Sequence, residues 1–80
     1  MRMLNQETDA PVQMLTVLLT RSEVQELHGI LDDLLAADST GDHYHLSSPD
    51  YQKEITVAIY GESDPRGFSE RMLKLIAEDR

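Results

Sequence analysis

Eighty residues carrying fifteen acidic and seven basic side chains, a formal charge of −8 and no cysteine describe one small acidic domain held together by packing alone. A chain this short buries only about 60–65% of the surface its unfolded form exposes, so a deep enclosed active site is not expected. The missing cysteines exclude disulfides, thiolate nucleophiles and thiolate metal sites together.

Residues 1–11, "MRMLNQETDAP", lack periodicity and end in proline, which predicts a flexible N-terminal tail ahead of a single domain spanning 12–80. The most apolar stretch, Val12 to Thr20, is interrupted by Gln13 and Thr16 and preceded by acidic residues. It fits neither a signal peptide nor a membrane span, and a cytoplasmic protein is expected. From Met14 to Thr20 the side chains alternate, with Leu15, Val17 and Leu19 on one face, which predicts a first strand.

The following segment opens with two overlapping capping patterns, Thr20 with Glu23 and Ser22 with Gln25. Val24, Leu27, Ile30, Leu31, Leu34 and Leu35 fall within one arc at 100° per residue, predicting an amphipathic helix that ends near Ala37. Gly29 lowers its intrinsic propensity by up to ~1 kcal/mol, so the helix depends on its packed face. "HYHL" and "KEITVAIY", joined by a loop with the turn signal Ser-Pro-Asp, predict a hairpin. Its inward positions are Tyr44, Leu46, Ile55, Val57 and Ile59; His43, His45, Glu54, Thr56, Ala58 and Tyr60 face the other way. Asp64 as N-cap and Pro65 at the first helical position predict a closing helix with Phe68, Met72, Leu75 and Ile76 inward.

The expected fold is therefore α+β, in the order β-α-β-β-α. A three-stranded antiparallel or mixed sheet, with two helices on one face, would make a ferredoxin-like unit lacking its last strand. The polar face of that sheet is the candidate site, and its two histidines one residue apart raise the question of chemistry.

Side chains at i and i+2 of a strand share a face, so His43 and His45 could grip one metal ion with Glu54 as a third ligand. Cross-strand hydrogen bonds to Thr56 or Tyr60 account for the same histidines without metal, and no cofactor is expected. His28 precedes Asp32 by one helical turn, which reads as a boundary residue with a helical partner. Asp32 and Asp33 are consecutive on a helix and diverge by about 100°, unlike a catalytic dyad. Ser47, Ser48, His45 and Asp50 supply the residue types of a hydrolytic triad, but within six positions of one strand and turn, whereas a triad converges from separate elements. The sequence thus points away from an enzyme.

Charge indicates the partner instead. From Ser22 to Asp50 there are seven carboxylates and no lysine or arginine. Such a surface repels phosphate backbones and anionic lipid, so neither nucleic acid nor a membrane is expected, whereas a basic protein would be attracted. The expected contact residues are His43, His45, Glu54 and Tyr60 of the open sheet face with Glu26 and Asp33 of the first helix. A homodimer, formed through that face or through the first strand as an unpaired edge, is the alternative.

"GDHYHL" followed by "EITVAIYGE", after a leucine-rich amphipathic helix, resembles the immunity protein 32 family of bacterial polymorphic toxin systems. The resemblance covers roughly residues 14 to 62, and Gly41, Asp42, His43, His45 and Leu46 are its most specific part; the closing helix lies outside it. It implies a protein that neutralises a cognate toxin by binding it, without catalysis or cofactor.

Overall fold

The structure is a computed structural model that describes residues 1–37, 42–61 and 68–78. Its elements are β1 (Leu4–Asn5), β2 (Ala10–Pro11), α1 (Arg21–Ala37), β3 (His43–Ser47), β4 (Glu54–Ala58) and α2 (Glu70–Glu78). The α+β class is as expected, but the strands form two separate two-stranded antiparallel sheets, β1 with β2 and β3 with β4.

Of the two capping patterns at the start of α1, the chain uses the first. The Thr20 hydroxyl accepts from the Glu23 amide at 3.2 Å, and the Glu23 carboxylate accepts from the Thr20 amide at 2.9 Å. Two otherwise orphaned amides are thereby satisfied reciprocally. The helix then runs to Ala37, and Gly29 sits with nothing within 4 Å of where a Cβ would lie.

The β3–β4 hairpin has the predicted parity. His45 lies opposite Thr56, Leu46 opposite Ile55 and Ser47 opposite Glu54. Tyr44 and Leu46 turn toward α1 while His43 and His45 are exposed. Ile30, Leu34 and Leu46 make the buried core, with Leu19, Leu27, Tyr44, Ile55, Val57 and Ile59 packed against it. Leu34 and Leu46 retain only 3% of their accessible surface.

The turn from Ser48 to Lys53 is closed by its own side chains. The Ser48 hydroxyl donates to Asp50 at 2.6 Å and accepts from the Lys53 amide at 3.1 Å, and the Asp50 carboxylate accepts from the Gln52 amide at 3.1 Å. Tyr51 occupies the left-handed region, with φ 57°, directly after this Ser-Pro-Asp sequence.

Four expectations are corrected. Met14–Thr20 is not a strand: it pairs with no strand among the described residues and, apart from Leu19, runs exposed into the helix. Its last residue, Thr20, is the N-cap of α1, so no connecting residues remain to swing the helix back over a strand, whereas such connections ordinarily take two to six residues. The three-stranded sheet is lost with it. In consequence the apolar arc of α1 is only partly covered. Two strands stand about 5 Å apart, too narrow a platform for the whole stripe of a helix about 10 Å across. Leu27, Ile30 and Leu34 pack, while Val24, Leu31 and Leu35 stay exposed.

The third correction concerns α2, which begins at Glu70. Ser69 caps it, its hydroxyl accepting from the Met72 amide at 3.4 Å, and Phe68 precedes the helix. The predicted cap at Asp64 and Pro65 lies outside the described residues. Leu75 is the buried residue of α2, and the helix is tied to the N-terminal segment. Arg71 forms an ion pair with Asp9 and donates to the Gln6 carbonyl at 2.6 Å, and Arg2 donates to the Ile76 carbonyl at 3.3 Å.

Residues 1–11, read from the sequence as a tail, thus carry the β1–β2 hairpin and dock on α2. The hairpin is set by local polar chemistry: Asn5 Oδ1 accepts from the Glu7 amide, Thr8 Oγ1 accepts from the Ala10 amide, and Asp9 takes φ 60°. Asp tolerates that left-handed conformation better than most residues.

Candidate functional site

The strand β3 alternates a side chain into the core with one toward solvent, so burial of Tyr44 and Leu46 forces His43 and His45 outward together. Their rings meet edge to face, with centroids 5.1 Å apart and planes at 81°. His45 Nδ1 lies 2.8 Å from the Thr56 hydroxyl, its directly opposed neighbour, and 3.2 Å from Glu54 Oε1 on the diagonal. The outer face of the hairpin is consequently a small ordered array of imidazole, hydroxyl and carboxylate, half exposed and built on paired strands.

This arrangement does not gather three metal ligands. Among the described residues no group of three or more histidine, aspartate or glutamate side chains is placed to hold a metal ion, and His43, His45 and Glu54 are no exception. Ser48 is engaged in the turn: its hydroxyl donates to Asp50 and, followed by the Gln52 amide, holds the Asp50 carboxyl below its ordinary value of 3.8. His45, Ser47 and Ser48 border one cleft, with Asp50 hydrogen-bonded to Ser48 and His45 to Thr56.

The other predicted contact residues distribute as follows. Glu26 borders an open cleft of about 370 Å³ where the first turn of α1 meets the end of β3, and His45 borders the same cleft. Glu23, Ser47 and Tyr51 contribute further walls. Asp33 is exposed two turns further along α1, where seven residues at 100° each return it to the side of Glu26. Tyr60 is half-buried at the other end of the hairpin, with the Arg2 guanidinium 5.9 Å from its ring centroid. The structure thus joins His43, His45 and Glu54 on one face, brings Glu26 to its border, and engages Tyr60 with the N-terminal segment.

Sequence reasoning missed the participation of Tyr51 and of Glu23. The Ser-Pro-Asp signal could have located the first, since it fixes the turn that carries Tyr51, which is 83% exposed. Glu23 had been assigned to the cap alone, and in fact lies at both the cap and the cleft.

Charge follows the same division. The arginines with described contacts, Arg2 and Arg71, join the N-terminal hairpin to α2, while α1 carries Glu23, Glu26, Asp32 and Asp33 against one basic residue, Arg21. His28 Nδ1 lies 3.7 Å from Asp32 on the exposed side of α1. No helix among the described residues is long and apolar enough to cross a membrane. Comparison with protein-family models, with curated proteins and with solved structures finds no match to this chain.

Proposed function

We propose that this chain is a small acidic, non-catalytic protein-binding module that meets a basic protein partner. Its contact surface is the outer face of the β3–β4 hairpin, His43, His45 and Glu54, continued by Glu26 and the acidic side of α1. The observation that carries this reading is the cleft at the end of β3, where a histidine of the ordered hairpin face and the carboxylates at the start of α1 border the same space. Fields of one sign focused in such a concavity speed the encounter with an oppositely charged surface. An immunity-like inhibitor that occupies a basic toxin is one form this module would take, in line with the resemblance of the "GDHYHL" segment.

Capture on immobilised protein from the host that encodes it should recover a basic protein. Retention should fall steeply between low salt and about 0.3 M, because exposed charge pairs are screened within a Debye length. The variant Glu23→Gln/Glu26→Gln/Glu54→Gln should retain it several-fold less well. Recovery of no basic protein, or undiminished retention by that variant, would contradict the reading.

A second reading is favoured by a separate observation. The exposed apolar run at residues 14–18 suits a homodimer formed away from the acidic face.

A further inference from the structure

We propose that Met14–Thr20 is a strand completed by a second copy of this chain, the two segments pairing antiparallel about a two-fold axis at Val17. This deepens the homodimer reading by assigning its contact and register, and it is independent of any basic partner.

The first observation is a strand signature without a strand partner. Exposure alternates along the run: Met14 and Leu18 stand 91% and 90% exposed, while Leu15 and Val17 fall to 62% and 45%, and Leu19 joins the core. Period-two exposure is what one side of a pleated strand shows. Here the backbone from Met14 to Leu19 pairs with no strand among the described residues, and such an edge is a template for another chain.

The second observation is charge. On a chain of formal charge −8, Ala10 to Thr20 is an uninterrupted run of eleven residues without a charged side chain. Two copies approaching through α1 or through the hairpin face would oppose carboxylates to carboxylates. Approaching through Met14–Thr20 they oppose none. A second copy is the occupant that this surface accommodates and the rest of the acidic surface repels.

The register follows from what bounds the segment. On the N-terminal side Pro11 belongs to β2 and the Val12 amide already donates to the Met3 carbonyl at 2.8 Å. On the C-terminal side α1 begins at Arg21. The alternating run between these bounds, Met14 to Thr20, is seven residues long, and a two-fold interface must pair it with itself. Centring on Val17 uses all seven: Met14 opposes Thr20, Leu15 opposes Leu19, and Thr16 opposes Leu18, and because the Thr20 amide and carbonyl are already engaged by Glu23 and Val24, the ladder bonds fall at Leu15, Val17 and Leu19. Centring on Leu15 or Leu19 would draw in β2 or the first turn of α1.

Area is sufficient for a weak specific dimer. At roughly 100 Å² for a fully exposed Leu or Met side chain, residues 14, 15, 17 and 18 offer about 300 Å² of apolar surface per copy. Because side-by-side pairing covers the edges and not both faces of the two strands, the area buried, backbone included, stays below about 1,000 Å² in total, the range of weak and transient contacts.

Sedimentation at concentrations from about 1 to 500 µM tests the dimer. The 9.1 kDa chain should pass from monomer to dimer across that range, and Leu18→Lys should remain monomeric at the upper end with unchanged far-ultraviolet circular dichroism. Register is tested in the same cysteine-free chain by a single Val17→Cys, which should oxidise to a covalent dimer. Directly opposed residues of an antiparallel pair have Cα atoms 4.5–5.5 Å apart, within disulfide reach. Ala36→Cys, at the exposed end of α1, should not cross-link. A wild-type monomer throughout, or a Leu18→Lys dimer as tight as wild type, overturns the contact. Dimerisation in which Val17→Cys cross-links no better than Ala36→Cys overturns the register and leaves the homodimer reading standing.

Discussion

Leu46 and Leu18 lie within two runs with the same alternating pattern, and the fold treats them oppositely. Leu46, on β3, is 3% exposed between Ile30 and Leu34 of α1 and its cross-strand partner Ile55; Leu18 is 90% exposed on a segment that pairs with no strand among the described residues. The difference lies in the connections. β3 is followed by a turn whose Ser48, Asp50 and Lys53 hydrogen bonds return the chain along itself, so its partner arrives from six residues away. Met14–Thr20 is followed at once by a capped helix, so the residues that come next cannot turn back beside it as a strand. Alternation selects an extended conformation; only the connection decides whether a partner is present.

The largest effect should come from breaking the satisfied side. Leu46→Ala removes the side chain from the buried trio and should cost about 2–5 kcal/mol, a loss comparable to the whole stability of a domain this small. Urea denaturation should show little or no folded baseline. Thr20→Ala breaks the reciprocal cap that ends the unpaired run and starts α1, and should cost about 1 kcal/mol by the same measurement. Thr20→Ser should restore most of it. Gly29→Ala should stabilise by about 0.5–1 kcal/mol, because the position is helical and a Cβ there meets nothing within 4 Å.

A pH effect sharpens the account of the turn. Hydrogen bonds from the Ser48 hydroxyl and the Gln52 amide hold the Asp50 carboxyl below its ordinary value in the folded chain. A group depressed on folding contributes its stability above the unfolded value, near 3.8, and loses it as pH falls through the folded value. Wild type should therefore exceed Asp50→Asn in Tm at pH 6, and the gap should narrow below about pH 4. Smallest of all, Leu18→Lys should change monomer stability by no more than about 0.5 kcal/mol at micromolar concentration, in contrast to its effect on self-association.

Much of the core was legible in the sequence. The parity of "HYHL" and "EITVA", the span of α1 and its Thr20–Glu23 cap all follow from periodicity and capping chemistry that act within a few residues. The polar hairpin face was legible for the same reason, since burying Tyr44 and Leu46 leaves the histidines nowhere else to go. Tertiary placement was not. Two-residue strands such as Leu4–Asn5 and Ala10–Pro11 are too short to show a period, and their docking on α2 depends on Arg71 reaching Asp9 across more than sixty residues. The pairing of Met14–Thr20 was expected because pattern was taken to imply a partner within the chain. Tyr60 shares its strand's parity with Glu54 but is engaged by Arg2, an interaction that no local spacing announces.

Amide hydrogen exchange followed at two protein concentrations tests the contrast most directly. At about 1 µM the amides of β3 and β4 should be protected while those from Leu15 to Leu19 exchange at nearly the unfolded rate; at several hundred micromolar the latter should gain protection and β3 and β4 should not change. Strong protection of Leu15 to Leu19 at the lower concentration would mean that the run finds a partner within its own chain, and the account given of both regions would fail.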